Sequence, residues 1–203
     1  MKDLSRREFL LRSAAYGSSL WVAMNVARPR ALAAAQASSE PAVLTGEQWK
    51  TVEAITARII PTDDTPGALE AACVNFIDKA LANEDSELRP RYVEGIEALE
   101  ACARARAQKH FAELPATEQD ALLTALQDGA AAEWKASLTS AEFFDMVRIH
   151  TIIGFLADPK HGGNRDYAGW KAIGYPGPAH HRGGYTPAQM IGEQKATAVW
   201  EDE

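Results

Sequence analysis

Apolar residues recur along this chain at intervals of three and four, the spacing of one helix face. In "LTGEQWKTVEAITARIIP", Trp49, Val52, Ile55, Ile59 and Ile60 share a side. Thr45 and Gln48 have the spacing of a capping box, and Pro61 stops the run. "PGALEAACVNFIDKALAN" predicts a second helix from about Pro66 to Ala82. Pro66 suits its first turn, and Leu69, Cys73, Phe76, Ile77 and Ala80 make one stripe. After the turn "NEDSE", "LRPRYVEGIEALEACARARAQKHF" predicts a longer helix with Tyr92, Ile96, Leu99, Cys102 and Ala103 along one side. Thr117 is the expected N-cap of the next helix. Leu122, Leu123 and Leu126 form its face, and Gly129 ends it. "AAAEWKASL" reads as a weaker helical segment. Thr139 and Glu142 open the last long helix, "TSAEFFDMVRIHTIIGFLADP". Phe143, Phe144, Val147, Ile149, Ile153 and Phe155 make that helix apolar on a broad surface, as expected of a central buried element.

No segment alternates with a period of two, and no repeat of solenoid length occurs. Beyond Asp158-Pro159 glycine and proline become frequent. Only short helical turns are expected there, near Tyr167–Ile173 and Pro187–Lys195. The fold class is therefore all-α: one small domain of about five or six helices with an irregular C-terminal segment rich in glycine, proline and aromatic residues. The division is 1–37 for a leader, 38–157 for the helical domain, and 158–203 for a segment that packs on the domain or on a partner.

The leader reading rests on Ser5, Arg6, Arg7, Phe9 and Leu10, which fit the twin-arginine export pattern S-R-R-x-F-L. The mildly apolar run from Ala14 to Ala27 is too short and too polar for a stable span. Ala31-Leu32-Ala33 and Ala35-Gln36-Ala37 both fit an A-x-A cleavage site. Such a leader is a receptor-read address for folded proteins, so the expected location is the periplasm. Basic residues outnumber acidic ones by four within 1–37, which leaves −11 on the remainder against −7 for the whole chain. That balance excludes a nucleic-acid footprint and direct attraction to an anionic membrane.

Cys73 and Cys102 are the only cysteines. In an antiparallel hairpin, residues equidistant from the turn lie side by side, so the two could be bridged in an oxidising compartment. Two buried free thiols, or a pairing with another chain, are the alternatives. Asp63 and Asp64 read as turn and capping chemistry rather than as metal ligands. His150 reads as a core histidine. His161, His180 and His181 lack the spacing of a ligand set. No dinucleotide fingerprint, CxxCH, cysteine cluster, HExxH or GxSxG is present. A route for folded and often cofactor-bearing proteins, with no cofactor motif in the chain, suggests travel with a partner.

Two stretches resemble the signatures of the gluconate 2-dehydrogenase subunit 3 family: "RIIPTDDTPGALEAACVNFIDKAL" and "GFLADPKHGGNRDYAGWKAIGYPGP". In the second, Gly162-Gly163-Asn164-Arg165-Asp166 matches a G-G-N-x-D core, and Ile173-Gly174-Tyr175-Pro176-Gly177 an I-G-F/Y-P-G ending. The resemblance implies a small subunit without catalytic residues or a cofactor of its own. Its expected partners are a large FAD-containing dehydrogenase subunit and a multi-haem cytochrome c subunit, with membrane association only through them. It would support folding and export of the flavoprotein. The rival reading is an independent periplasmic enzyme or metal-binding protein using His150, His161 and His180. Candidate partner-interface residues are Asp158, Gly162, Gly163, Asn164, Asp166, Tyr167, Trp170 and Tyr175. Whether 161–178 docks a partner or caps the core stays open at this level.

Overall fold

A computed structural model describes residues 41–179 and 183–201. The leader residues Ser5, Arg6, Arg7, Phe9 and Leu10, and the pair His180-His181, lie outside the described residues. Within them are seven α-helices and no strand. The helices are α1 (Gly46–Ile59), α2 (Cys73–Ala82), α3 (Arg89–Ala107), α4 (Ala116–Gln127), α5 (Ser140–Leu156), α6 (Ala168–Ile173) and α7 (Pro187–Met190). Among the described residues no helix is long and apolar enough to cross a membrane.

The long helix α5 is the axis of the fold. α1, α2, α3, α4 and α6 all pack against it. Phe143, Phe144, Val147, Ile152 and Phe155 are its buried apolar residues. Ile149, expected in the buried set, is 47% exposed, and Ile152 takes its place. The capping boxes read at Thr45/Gln48 and Thr139/Glu142 both form. The five residues of the α3 stripe, Tyr92, Ile96, Leu99, Cys102 and Ala103, are all buried.

The entry to α2 differs from its expected course. Residues 68–72 form turns, Ala72 is left-handed (φ 55°), and the helix begins at Cys73. Local bonds explain this. Ala68 donates to the carbonyl of Ile60 at 2.8 Å, and Cys73 donates to that of Ala68 at 3.0 Å. The Glu70 carboxylate accepts from Gly67 N–H and from the Thr62 hydroxyl. These turns bind the segment to the end of α1, and Leu69 is left 49% exposed. Likewise α4 starts one residue before Thr117: Pro115 is the N-cap, and its carbonyl accepts from Glu118 and Gln119. The segment 130–138 is not helical. Glu133 is left-handed (φ 65°), and Trp134 folds inward, its indole N–H donating to Leu138 O at 2.8 Å and its ring lying 5.6 Å from Phe143.

The cysteine bridge is also corrected. Both thiols are free and buried. α2 and α3 each pack on α5 rather than along one another, so sequence symmetry about the turn does not bring the cysteines together. Cys73 packs with Ile60, Ala68, Ala71, Phe155 and Ala168. Cys102 belongs to the main core and donates to Ala132 O at 3.2 Å.

Two buried carboxylates tie distant parts of the chain to this frame. Asp78 on α2 accepts backbone N–H groups from Ala42, Val43 and Leu44, which lays the start of the domain against the core. Glu100 on α3 accepts from Thr51 at 2.7 Å and from Phe111 N–H at 3.3 Å, and meets His110 at 3.0 Å. Both satisfy groups that would otherwise be costly to bury.

Candidate functional site

The segment from Asp158 to Pro178 covers the C-terminal end of α5. The last carbonyls of a helix have no partner within it and need one from elsewhere. Here two side chains supply it. Asn164, fully buried, donates its amide to Ala157 O at 2.8 Å. Trp170 donates its indole N–H to Leu156 O at 2.7 Å. The other end of the Asn164 amide accepts from Gly169 N–H at 2.8 Å, so one side chain joins the end of α5 to the start of α6.

The route to Asn164 depends on glycine. Asp158 caps the 3₁₀ turn Pro159–His161, and Gly162 (φ 97°) reverses the chain. A Cβ on Gly163 would sit 2.1 Å from Gly154 O, and one on Gly169 1.7 Å from Phe155 O. Only glycine lets the segment lie this close to the α5 backbone. Gly162 O also accepts from Asn75 at 3.0 Å, and Arg165 N–H donates to Ala71 O at 3.1 Å. The segment is thereby fastened to α2 and its preceding turn as well as to α5. Asn164, Asp166 and Tyr167 all have left-handed backbones. Asparagine and aspartate tolerate that conformation; tyrosine does not, and this loop stores strain at its surface edge.

Beyond it lies an aromatic group. Tyr167 and Trp170 are 5.6 Å apart, Trp170 and Tyr175 meet edge-on at 5.2 Å, and Tyr167 meets Trp200 at 5.6 Å. Lys171 lies 5.5 Å above the Trp200 ring. The tail returns here through Val199 N–H donating to Pro176 O at 2.8 Å. Of the candidate interface residues, Gly162, Gly163, Asn164 and Trp170 are turned into the chain's own interior. Asp166 and Tyr175 are exposed, and Asp158 and Tyr167 are half-buried. Trp170, at 5% exposed, is a cap residue.

Among the described residues the histidines join no ligand set. His150 is buried on α5, with Nδ1 2.8 Å from the Tyr92 hydroxyl and Nε2 3.5 Å from Asp85. His161 sits in the 3₁₀ turn. Burial pushes its pKa below the usual value, Lys160 pushes the same way, and Asp158 and Glu84 oppose. Among the described residues no group of three histidine, cysteine or acidic side chains could hold a metal ion. Burial also raises both thiol pKa values, which disfavours the thiolate form. Sequence reasoning missed the roles of Asp78, Asp85 and Glu100. An acid inside an apolar helical stripe, as Asp78 is, was the one available signal.

Residues 46–177 match the model of a family described as Gluconate 2-dehydrogenase subunit 3, and the chain belongs to that family. The match runs from the first turn of α1 to the end of the cap. Neither the curated proteins nor the solved structures contain a match to it.

Proposed function

We propose that this member of the gluconate 2-dehydrogenase subunit 3 family is the non-catalytic small subunit of a periplasmic, FAD-dependent dehydrogenase complex. It binds the large flavoprotein subunit and supplies the twin-arginine leader that exports it. Family membership carries this reading, since it makes the chain a subunit of a gluconate 2-dehydrogenase-type complex. The build of the α5 cap supports it. The polar groups of Asn164 and Trp170 are consumed in holding the chain together, as suits a binding body rather than a reaction site. The partner would hold the FAD, and a multi-haem cytochrome c subunit would take the electrons onward. Asp166, Tyr167 and Tyr175, at the outer edge of the cap, would meet the flavoprotein in this reading, since tyrosine is among the residue types enriched at interfaces.

Changing Arg6-Arg7 to Lys-Lys tests the escort role. Dehydrogenase activity is expected to remain in the cytoplasm, while the large subunit still accumulates there. Normal periplasmic activity after that change would sink the proposal. The rival, an independent enzyme on His150, His161 and His180, predicts turnover or stoichiometric metal in the purified chain alone.

A further inference from the structure

His150 lies where three parts of the chain meet. Its ring stacks on Tyr92 of α3, with centroids 5.6 Å apart and planes 11° from parallel. Phe76 of α2 meets it edge-on at 6.5 Å. Asp85, in the turn between α2 and α3, faces its Nε2 at 3.5 Å. These contacts carry one charged group, Asp85. Phe76 is uncharged, and the neighbouring Arg148 on α5 is paired with Asp145 at 3.0 Å.

The protonation state follows from Tyr92. This tyrosine is fully buried, and His150 Nδ1, 2.8 Å away, is the hydrogen-bond partner recorded for its hydroxyl among the described residues. The hydroxyl donates, so Nδ1 accepts and the ring proton sits on Nε2, toward Asp85. A second proton would have to enter at Nδ1. That nitrogen would become a donor, and the Tyr92 hydrogen would lose its acceptor in a dry interior. Asp85 pulls the other way, but it is about a third exposed and 3.5 Å distant, so water weakens its hold. Burial is the larger influence: it moves the His150 pKa below the ordinary 6.5, against the pull of Asp85.

We propose that Tyr92, His150 and Asp85 form a pH-sensitive latch. It joins α3 and the α2–α3 turn to the central helix α5, is closed when His150 is neutral, and is released by protonation. Because the folded state resists the proton, the unfolded chain binds more protons below about pH 6.5. Stability is therefore present above that pH and is lost as pH falls through it. The latch sets an acid limit on the subunit that is independent of what partner it serves.

Urea unfolding of the full chain at pH values between 8 and 5 tests this. The wild-type midpoint should fall across that window. His150→Gln keeps an acceptor for Tyr92 and a donor toward Asp85 without titrating, so its midpoint should fall distinctly less. His161 titrates in both proteins, so the difference between them isolates His150. An equal fall in both would overturn the latch. Should His150→Gln not fold, an NMR titration of the wild-type ring decides. Protonation below pH 6.5, with Nδ1 as the unprotonated nitrogen at neutral pH, supports the latch; a midpoint at or above 6.5, or the opposite tautomer, overturns it.

Discussion

Asn164 shows how much one side chain can hold in this protein. It adopts a left-handed backbone (φ 46°), donates to the end of α5 and accepts from the start of α6, all without exposure to water. Asn164→Ala removes both bonds and leaves a buried carbonyl and a buried N–H without partners. Each unsatisfied group costs about 1–3 kcal/mol, so a loss of several kcal/mol is expected in urea unfolding. Asn164→Asp keeps the acceptor but loses the donor to Ala157 O and buries a charge, so it should be no milder than alanine. Trp170→Ala empties a site sealed by Tyr167 and Tyr175 and strands Leu156 O; about 3–5 kcal/mol is the expected cost. A folded Trp170→Ala monomer of unchanged stability would contradict its role in the cap.

At the scale of elements, periodicity located the helices well where one face meets the core, and poorly where turns decide. The α3 stripe and both capping boxes were legible because their spacing is local chemistry. The start of α2 was not. Its fate depends on Ile60 O and Glu70, whose bonds to Ala68 and Gly67 form only once the chain folds back on α1. The cysteine bridge failed for a related reason: the hairpin geometry assumes two helices packed side by side, whereas both prefer the more apolar α5. Mass mapping without reductant should accordingly find two free thiols. A reducing agent should leave the melting temperature unchanged, since there is no loop closure to lose. The Thr139 capping box offers a gentler test. Its hydroxyl accepts from Glu142 N–H at 3.2 Å, and the Glu142 carboxylate returns a bond to Thr139 N–H at 2.8 Å. Thr139→Ala should cost about 1 kcal/mol in unfolding experiments.

For the whole molecule, the question is how a subunit presents a surface to its partner without losing its own fold. The G-G-N-x-D stretch was readable as a signature, but not as interior or exterior. Its glycines signal close backbone approach, and only the folded chain shows that the backbone approached is its own α5. The cap thus divides into an inner layer that stabilises the fold and an outer edge where Asp166 and Tyr175 are exposed. Tyr175 separates the two roles. It is 38% exposed, whereas its T-shaped partner Trp170 is 5% exposed, so Tyr175→Ala should lower stability far less than Trp170→Ala. If the flavoprotein docks here, the same change should weaken the complex at least tenfold, as removal of an aromatic anchor commonly costs more than about 1.4 kcal/mol. Titrating the purified large subunit with wild-type and Tyr175→Ala chains, each checked to be fully folded at the assay temperature, measures this. Equal affinities would move the docking surface away from the cap and leave the segment a purely internal device.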